Sequence, residues 1–252
     1  MNETLRLLHL DACPSTNAYM KEHPGAFGPL GAVYTTNQTA GRGRLGRAWV
    51  NAAGQALYYT VALDCPLAQP DTLPQLSSLL VAQALHERYG VACQIKWPND
   101  LLLGGKKLTG ILCESFEAQG RRIWLSGIGI NLAQPQRYFD EAGLAHGTSL
   151  ALAGAAVAPE ADAPALAARL TALFAAAAPD FARAGFSPVR DAYRAACVNL
   201  GRPVSFPTEG GGTGRGVAED VDAEGRLVVR TEAGEQAVFT GEVSVSGIYG
   251  AV

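Results

Sequence analysis

The sequence predicts an α+β fold, a mixed sheet with helices packed on it, followed by a small C-terminal barrel. Three observations carry this. Apolar runs of strand length, separated by turn residues, recur between residues 32 and 131. Two segments, 71–88 and 151–184, keep leucines at helical spacing. Beyond Gly201 the texture changes to short strands divided by glycine-bearing turns, the pattern of a small barrel. The chain has 252 residues, 48% of them hydrophobic, enough for one large and one small core. The change of texture divides it into a first domain over 1–200 and a second over 201–252.

Taken in order, Ser15 or Thr16 caps a short helix toward His23, since either hydroxyl can accept from the first free amides, and Pro24-Gly25 ends it. Residues 32–36 and 57–63 read as strands on either side of a glycine- and arginine-rich loop. Leu76, Leu79, Leu80 and Leu85 mark the first long helix, stopped by Gly90. Strands follow at 94–97, 101–103, 107–116 and 122–131, with Gly104-Gly105 as a hairpin turn. The alanine-rich stretch 151–184 is a helix covering the sheet through Leu166, Leu170, Leu173 and Phe174, and a second helix spans 188–198. The barrel strands are 204–206, 214–218, 227–231 and 237–240.

Composition excludes several functions. A net charge of −3 argues against general nucleic-acid affinity. Five scattered cysteines without a C-x-x-C pair suggest neither a disulfide framework nor a zinc site, and are expected as thiols in a reducing compartment. The start of the chain lacks the pattern of a secretory signal, and no uninterrupted stretch reaches membrane-spanning length, so a cytoplasmic protein is expected.

Against that mild acidity, Arg42, Arg44 and Arg47 crowd one loop with Gly41, Gly43, Gly46 and Trp49. Glycine permits close backbone approach, and guanidinium groups suit a carboxylate or phosphate. Gly41-x-Gly43-x-x-Gly46 also fits the dinucleotide fingerprint, but that fingerprint must open a helix, and the residues after it lead to a strand. A surface loop without a ligand is the competing reading. Other polar clusters share the first domain. Ser15-Thr16-Asn17 offers two hydroxyls and an amide, of which helix capping explains one. Lys96-Trp97-Pro98-Asn99-Asp100 ends a strand with a lysine and a tryptophan that an ordinary turn does not need. Lys107 precedes Gly110, where a flat ligand could lie on bare backbone, although one of Lys106 and Lys107 is accounted for as an edge-protecting lysine. Gly127-Ile-Gly-Ile-Asn131 ends an apolar strand with an amide.

Together and in this order, S-T-N at 15–17, Q-x-x-G-R-G-R at 38–44, Trp49, K-W-P-N-D at 96–100, K-L-x-G-I-L at 107–112 and G-I-G-I-N at 127–131 resemble the biotin protein ligase family. The resemblance implies a class II synthetase-like catalytic domain with a C-terminal SH3-like barrel. It implies that biotin and ATP, with Mg²⁺, give biotinyl-5'-AMP, and that a lysine of biotin carboxyl carrier protein then takes the biotinyl group. It implies that Ser15, Thr16, Asn17 and Gln38 meet the ureido end of biotin, that Gly110 and Leu112 floor the apolar ring pocket, and that Gly41, Arg42, Gly43 and Arg44 fold over the ligand. Lys107 would reach the carboxylate, and Trp49 the adenine side. Lys96, Asn99, Asp100 and Asn131, with Arg42 and Arg44, would serve the nucleotide. Lys107, Arg42 and Asp100 are the catalytic candidates, Asp100 as Mg²⁺ ligand or proton acceptor. Leu45 departs from the polar residue relatives often carry. Only fourteen residues precede Ser15, which leaves no room for the winged helix of the repressor members, so no DNA partner and no membrane partner is expected. The chain is read as a monomer or homodimer. The rival readings are a lipoate ligase of the same fold and a biotin-binding protein without turnover.

Overall fold

The computed structural model describes residues 6–208, 211–239 and 243–248. A seven-stranded sheet is built from β1 (Arg6–His9), β2 (Leu30–Thr35), β3 (Ala56–Leu63), β4 (Gln94–Lys96), β5 (Asp100–Leu103), β6 (Lys106–Ala118) and β7 (Arg121–Asn131). Its order is β1-β2-β3-β7-β6-β5-β4. The first pair is parallel and the other pairs are antiparallel, which makes the sheet mixed.

Helices α1 (Thr16–Glu22), α2 (Leu73–Tyr89), α3 (Gln136–Glu141), α4 (Pro159–Ala184) and α5 (Arg190–Ala196) surround the sheet. Ser15 is the N-cap of α1, and Gly90, left-handed at φ +68°, closes α2. One face of the sheet buries Leu57, Tyr59, Val61, Ile111, Ile128 and Ile130 against α2 and α4. By strand alternation the other face carries Tyr58, Thr60, Gly110, Leu112, Gly127 and Gly129. Helix α4 is 26 residues long and holds an 18-residue window with a mean hydropathy of 1.3, enough by length and composition alone to cross a bilayer. Instead, Leu166, Leu170, Phe174 and Phe181 are buried in the core it shares with the sheet.

The second sheet consists of β8 (Pro203–Pro207), β9 (Thr213–Val221), β10 (Leu227–Thr231), β11 (Gly234–Val238) and β12 (Ser244–Val245), in the order β11-β10-β9-β8-β12. Among the described residues it is an open antiparallel sheet, with no pairing of β11 to β12 that would close the expected barrel. The strand expected at 237–240 is the end of β11, and Thr240 lies outside the described residues. The small sheet does not bury its residues alone. Val204, Phe206, Val221 and Val229 share a core with Ile95, Trp97, Leu102 and Tyr193.

The remaining differences have local causes. The helix expected from 151 starts at Pro159, after a run of turns over 151–154, because proline suits the first turn of a helix and the alanines before it carry no packing stripe. Strand β1 was not anticipated, since only one of its four residues is even half-buried. Helix α3, one and a half turns long, buries only Phe139 and leaves little periodicity to read.

Candidate active site

The register of the sheet lays out the floor of a cavity. Tyr58 pairs with Gly129, Gly129 with Gly110, and Gly110 with Asp100, so one row crosses four strands. The neighbouring row is Thr60, Gly127 and Leu112. A bulge in β6 shifts the pairing between Leu101 and Leu102, so Leu108 turns into the helix-side core and Lys107 falls on the cavity face. That is why Lys107, rather than Lys106, meets Asp100, with Nζ 2.7 Å from Oδ1. Its backbone is fixed on the outer side, donating to the His146 carbonyl at 2.7 Å and accepting from Thr148 N at 2.9 Å.

Over the first row lies Trp49. A Cβ at Gly129 would stand 2.7 Å from its Cε2, and one at Gly110 would overlap its Cζ3. The two cross-strand glycines therefore form the seat of an indole. The chain's own flat side chain lies on Gly110, which also lines the cavity. Lys107 Nζ stands 5.8 Å from the ring centroid, within cation–π range. Gly129→Ala is expected to lift the indole at a cost of about 1–3 kcal/mol of overpacking. A fall in unfolding temperature with a red-shifted tryptophan emission would register it.

Over the second row lies Asn17, which a side chain at Gly127 would strike. Its Nδ2 donates to Glu114 Oε2 at 2.7 Å and to the Leu112 carbonyl at 3.3 Å, and its Oδ1 accepts from Thr60 Oγ1 at 2.7 Å. Asn17 is thus held by scaffold bonds while also lining the cavity. Gln38 Oε1 accepts from Thr16 N at 2.9 Å, and Ser15 Oγ caps α1. Burial opposes the charge of Glu114, yet Lys21, 2.8 Å away, and Asn17 hold its carboxyl below the usual range.

The arginine loop is a small closed hairpin. Gly43 N donates to the Arg47 carbonyl at 2.7 Å and Trp49 N to the Gly41 carbonyl at 3.0 Å. One 3-10 turn spans Arg44–Gly46, with Leu45 at φ +56° and 73% exposed. No α-helix opens there, as the dinucleotide reading would require. Arg44 Nη1 donates to Asn99 Oδ1 at 2.8 Å, tying the loop to the turn after β4.

The cavity, about 400 Å³, gathers Ser15, Thr16, Asn17, Gln38, Arg42, Gly43, Arg44, Trp49, Lys96, Asn99, Asp100, Lys107, Gly110, Leu112 and Asn131, every sequence-derived candidate except Gly41. Gly41 sits behind it, against Trp49 and Gln38, where a Cβ would stand 2.7 Å from Gln38 Nε2. Asn131 is held by scaffold bonds, donating to the Thr148 carbonyl at 2.9 Å and accepting from Gln134 at 2.8 Å. Residues that sequence reading missed also line it, among them Tyr58, Tyr138 and His146. Thr60 and Glu114 support it from behind. The polar Thr60 inside the apolar run 57–63 was the available signal.

The electrostatics of the lining are lopsided. Arg42, Arg44, Arg47, Lys96 and Lys107 face a single carboxylate, Asp100. Among the described residues no three carboxylates, histidines or cysteines cluster as a metal centre. No cysteine is among the residues lining the cavity. Burial pushes the thiols of Cys13 and Cys197 up to about 11 and those of Cys93 and Cys113 up to about 12, and also raises that of Cys65. The cavity is therefore cationic, over a floor of glycines, Leu112 and the Trp49 indole.

Residues 12–131 match the profile of the Biotin/lipoate A/B protein ligase family, and residues 200–246 match the Biotin protein ligase C terminal domain. A biotin--[acetyl-CoA-carboxylase] ligase of Paracoccus denitrificans is 37% identical over 250 residues, covering 92% of this chain and 98% of the relative. The chain belongs to the biotin protein ligase family. Its fold agrees with that of a biotin protein ligase from Aquifex aeolicus, solved in complex with biotin and ATP, at a TM-score of 0.77 and 26% identity over 95% of this chain and 98% of the other. A bifunctional ligase/repressor of Bacillus subtilis is 30% identical over 243 residues, which cover 95% of this chain and 74% of that relative. A biotin protein ligase is an enzyme of the ligase class.

Proposed function

We propose that in this biotin protein ligase the biotin carboxylate attacks the α-phosphate of ATP, taken up as its magnesium complex, to give biotinyl-5'-AMP with loss of pyrophosphate, and that a lysine amine of biotin carboxyl carrier protein then takes the biotinyl group with loss of AMP. The observation that carries the proposal is the set of five cations around one carboxylate over an apolar floor. A carboxylate and a triphosphate repel each other, and fixed cations in a water-poor cavity offset that repulsion where the new bond forms. In this reading the urea ring of biotin points to Thr16 and Gln38, its bicycle lies beside Trp49 and Leu112, and its carboxylate reaches Lys107. The nucleotide lies toward Lys96, Asn99 and Asp100, where Arg44 bridges the loop to Asn99. Magnesium would enter on the phosphates and offset their charge, with the Asp100 carboxylate the lining group that would help hold it.

After activation, the acceptor lysine must lose a proton before it attacks, since an ordinary lysine amine, with pKa about 10.4, is protonated at neutral pH. Asp100 is the one carboxylate in the lining able to accept it. Residues 1–200 hold both small substrates, and 201–252 form the second unit. The five cysteines are all free, in keeping with a cytoplasmic enzyme.

The test is biotin-dependent exchange of pyrophosphate into ATP, followed by transfer to carrier protein. Lipoate supporting the exchange better than biotin, or biotin binding without AMP formation, would replace the proposal by one of its rivals. Arg42 belongs to the loop that shields the acyl phosphate from water. In single-turnover experiments Arg42→Ala is expected to release biotinyl-5'-AMP about ten times faster, the loss of one charge-assisted contact. An unchanged release rate would remove Arg42 from that task.

A further inference from the structure

The polar bonds behind the second row form a chain whose proton directions can be worked out. Glu114 is the anchor. It is an ionised carboxylate and can only accept, and so can the carbonyl of Leu112. The Asn17 group facing both must therefore be its NH₂, and its oxygen must face Thr60 at 2.7 Å. An amide oxygen cannot donate, so Thr60 supplies that proton. The contact between Thr60 Oγ1 and Thr16 Oγ1, at 2.8 Å, then needs a proton from Thr16. The longer contact from Thr16 Oγ1 to Gln38 Oε1, at 3.2 Å, is left without one, and that oxygen already accepts from Thr16 N. With its proton spent backward, Thr16 offers the cavity lone pairs only. Gln38, whose oxygen is occupied, offers its NH₂.

We propose that Thr60, anchored through Asn17 to Glu114, is a positioning residue that fixes Thr16 as a hydrogen-bond acceptor and so selects a ligand whose polar end pairs an N–H donor with a carbonyl acceptor. This rests on the biotin reading, for a cyclic urea has that pairing. It adds a determinant that touches no substrate. Thr60 is fully buried on β3, and Glu114 lies two residues beyond Leu112 on β6.

The experiment measures binding by calorimetry of biotin and of the two biotins methylated singly at either urea nitrogen, to the full chain and to Thr60→Val, Thr60→Ser and Glu114→Leu. The intact chain is expected to prefer biotin to at least one methylated form. In Thr60→Val, biotin binding should weaken about tenfold while binding of that form holds, narrowing the ratio, because only biotin uses the Thr16 acceptor. Thr60→Ser, which keeps the hydroxyl, should restore the ratio. Glu114→Leu, at a position with a third of its side chain exposed, should narrow it in the same direction even if Thr60→Val does not fold. Equal weakening of all three ligands, or unchanged biotin binding, would overturn the proposal. Failure of the intact chain to bind biotin would instead overturn the reading beneath it.

Discussion

Lys107→Ala is expected to lower biotin-dependent pyrophosphate exchange by about 10²–10³-fold, the scale of losing one fixed group that stabilises developing charge. The ammonium sits 2.7 Å from Asp100, and both side chains are largely withdrawn from water. Removing it takes a cation from the biotin carboxylate and also uncovers an acid that faces two incoming anions. Four other cations line the cavity, so the effect rests on position rather than on total charge. Arg44 is held by Asn99, and Lys96 is buried at the end of β4. Only Lys107 is aimed by a bulge at the row that runs from Tyr58 to Asp100. Lys107→Arg should recover part of the rate, since the charge survives while the compact geometry does not. Adding Asp100→Asn to Lys107→Ala should recover exchange to the extent that the exposed carboxylate causes the loss. Exchange at the intact rate in Lys107→Ala would exclude Lys107 from activation.

The ligand-facing groups were legible because their chemistry is unusual for the places they occupy. Glycines inside a strand, a lysine at its entrance and arginines between glycines stand out in sequence, and the fold gathers them in one cavity. What those glycines hold was less legible. Gly110 and Gly129 are nineteen residues apart in sequence and become one seat only through the β6–β7 register, which no local pattern displays. Thr60, Asn17 and Glu114 are joined in the same way across α1, β3 and β6. The scaffold bonds of Asn17 were not legible, because an exposed amide and a buried, bonded one look alike in sequence. The small C-terminal strands were recognised from their turns, yet nothing in their alternation indicated that their core would be shared with Ile95, Trp97, Leu102, Phe186 and Tyr193 of the first domain.

Trp97 carries that dependence, and Trp97→Ala should cost about 3–5 kcal/mol of stability, as for other buried large-to-small changes. Its indole is 2% exposed and packs with Ile95, Leu102 and Tyr193 against the valines of the second sheet. Nε1 donates to the Gly225 carbonyl at 3.0 Å, and Trp97 N donates to Asn199 Oδ1 at 2.8 Å. Gly225 closes the turn between β9 and β10 at φ +75°, and Gln75 of α2 binds the same carbonyl at 3.1 Å. The lysine and the tryptophan of the K-W-P-N-D run both border the cavity, and Trp97 also fastens the second sheet to the first domain. Trp97→Phe keeps most of the apolar volume and loses one donor to a carbonyl that retains Gln75, so about 1 kcal/mol is expected. Urea unfolding of the two variants separates packing from hydrogen bonding. Because Pro98, Asn99 and Asp100 follow directly, the alanine variant should also raise the apparent KM for ATP while leaving biotin affinity nearly unchanged. Should Trp97→Ala lose less than about 1 kcal/mol, the small sheet would have to hold itself together without the first, contrary to the shared core.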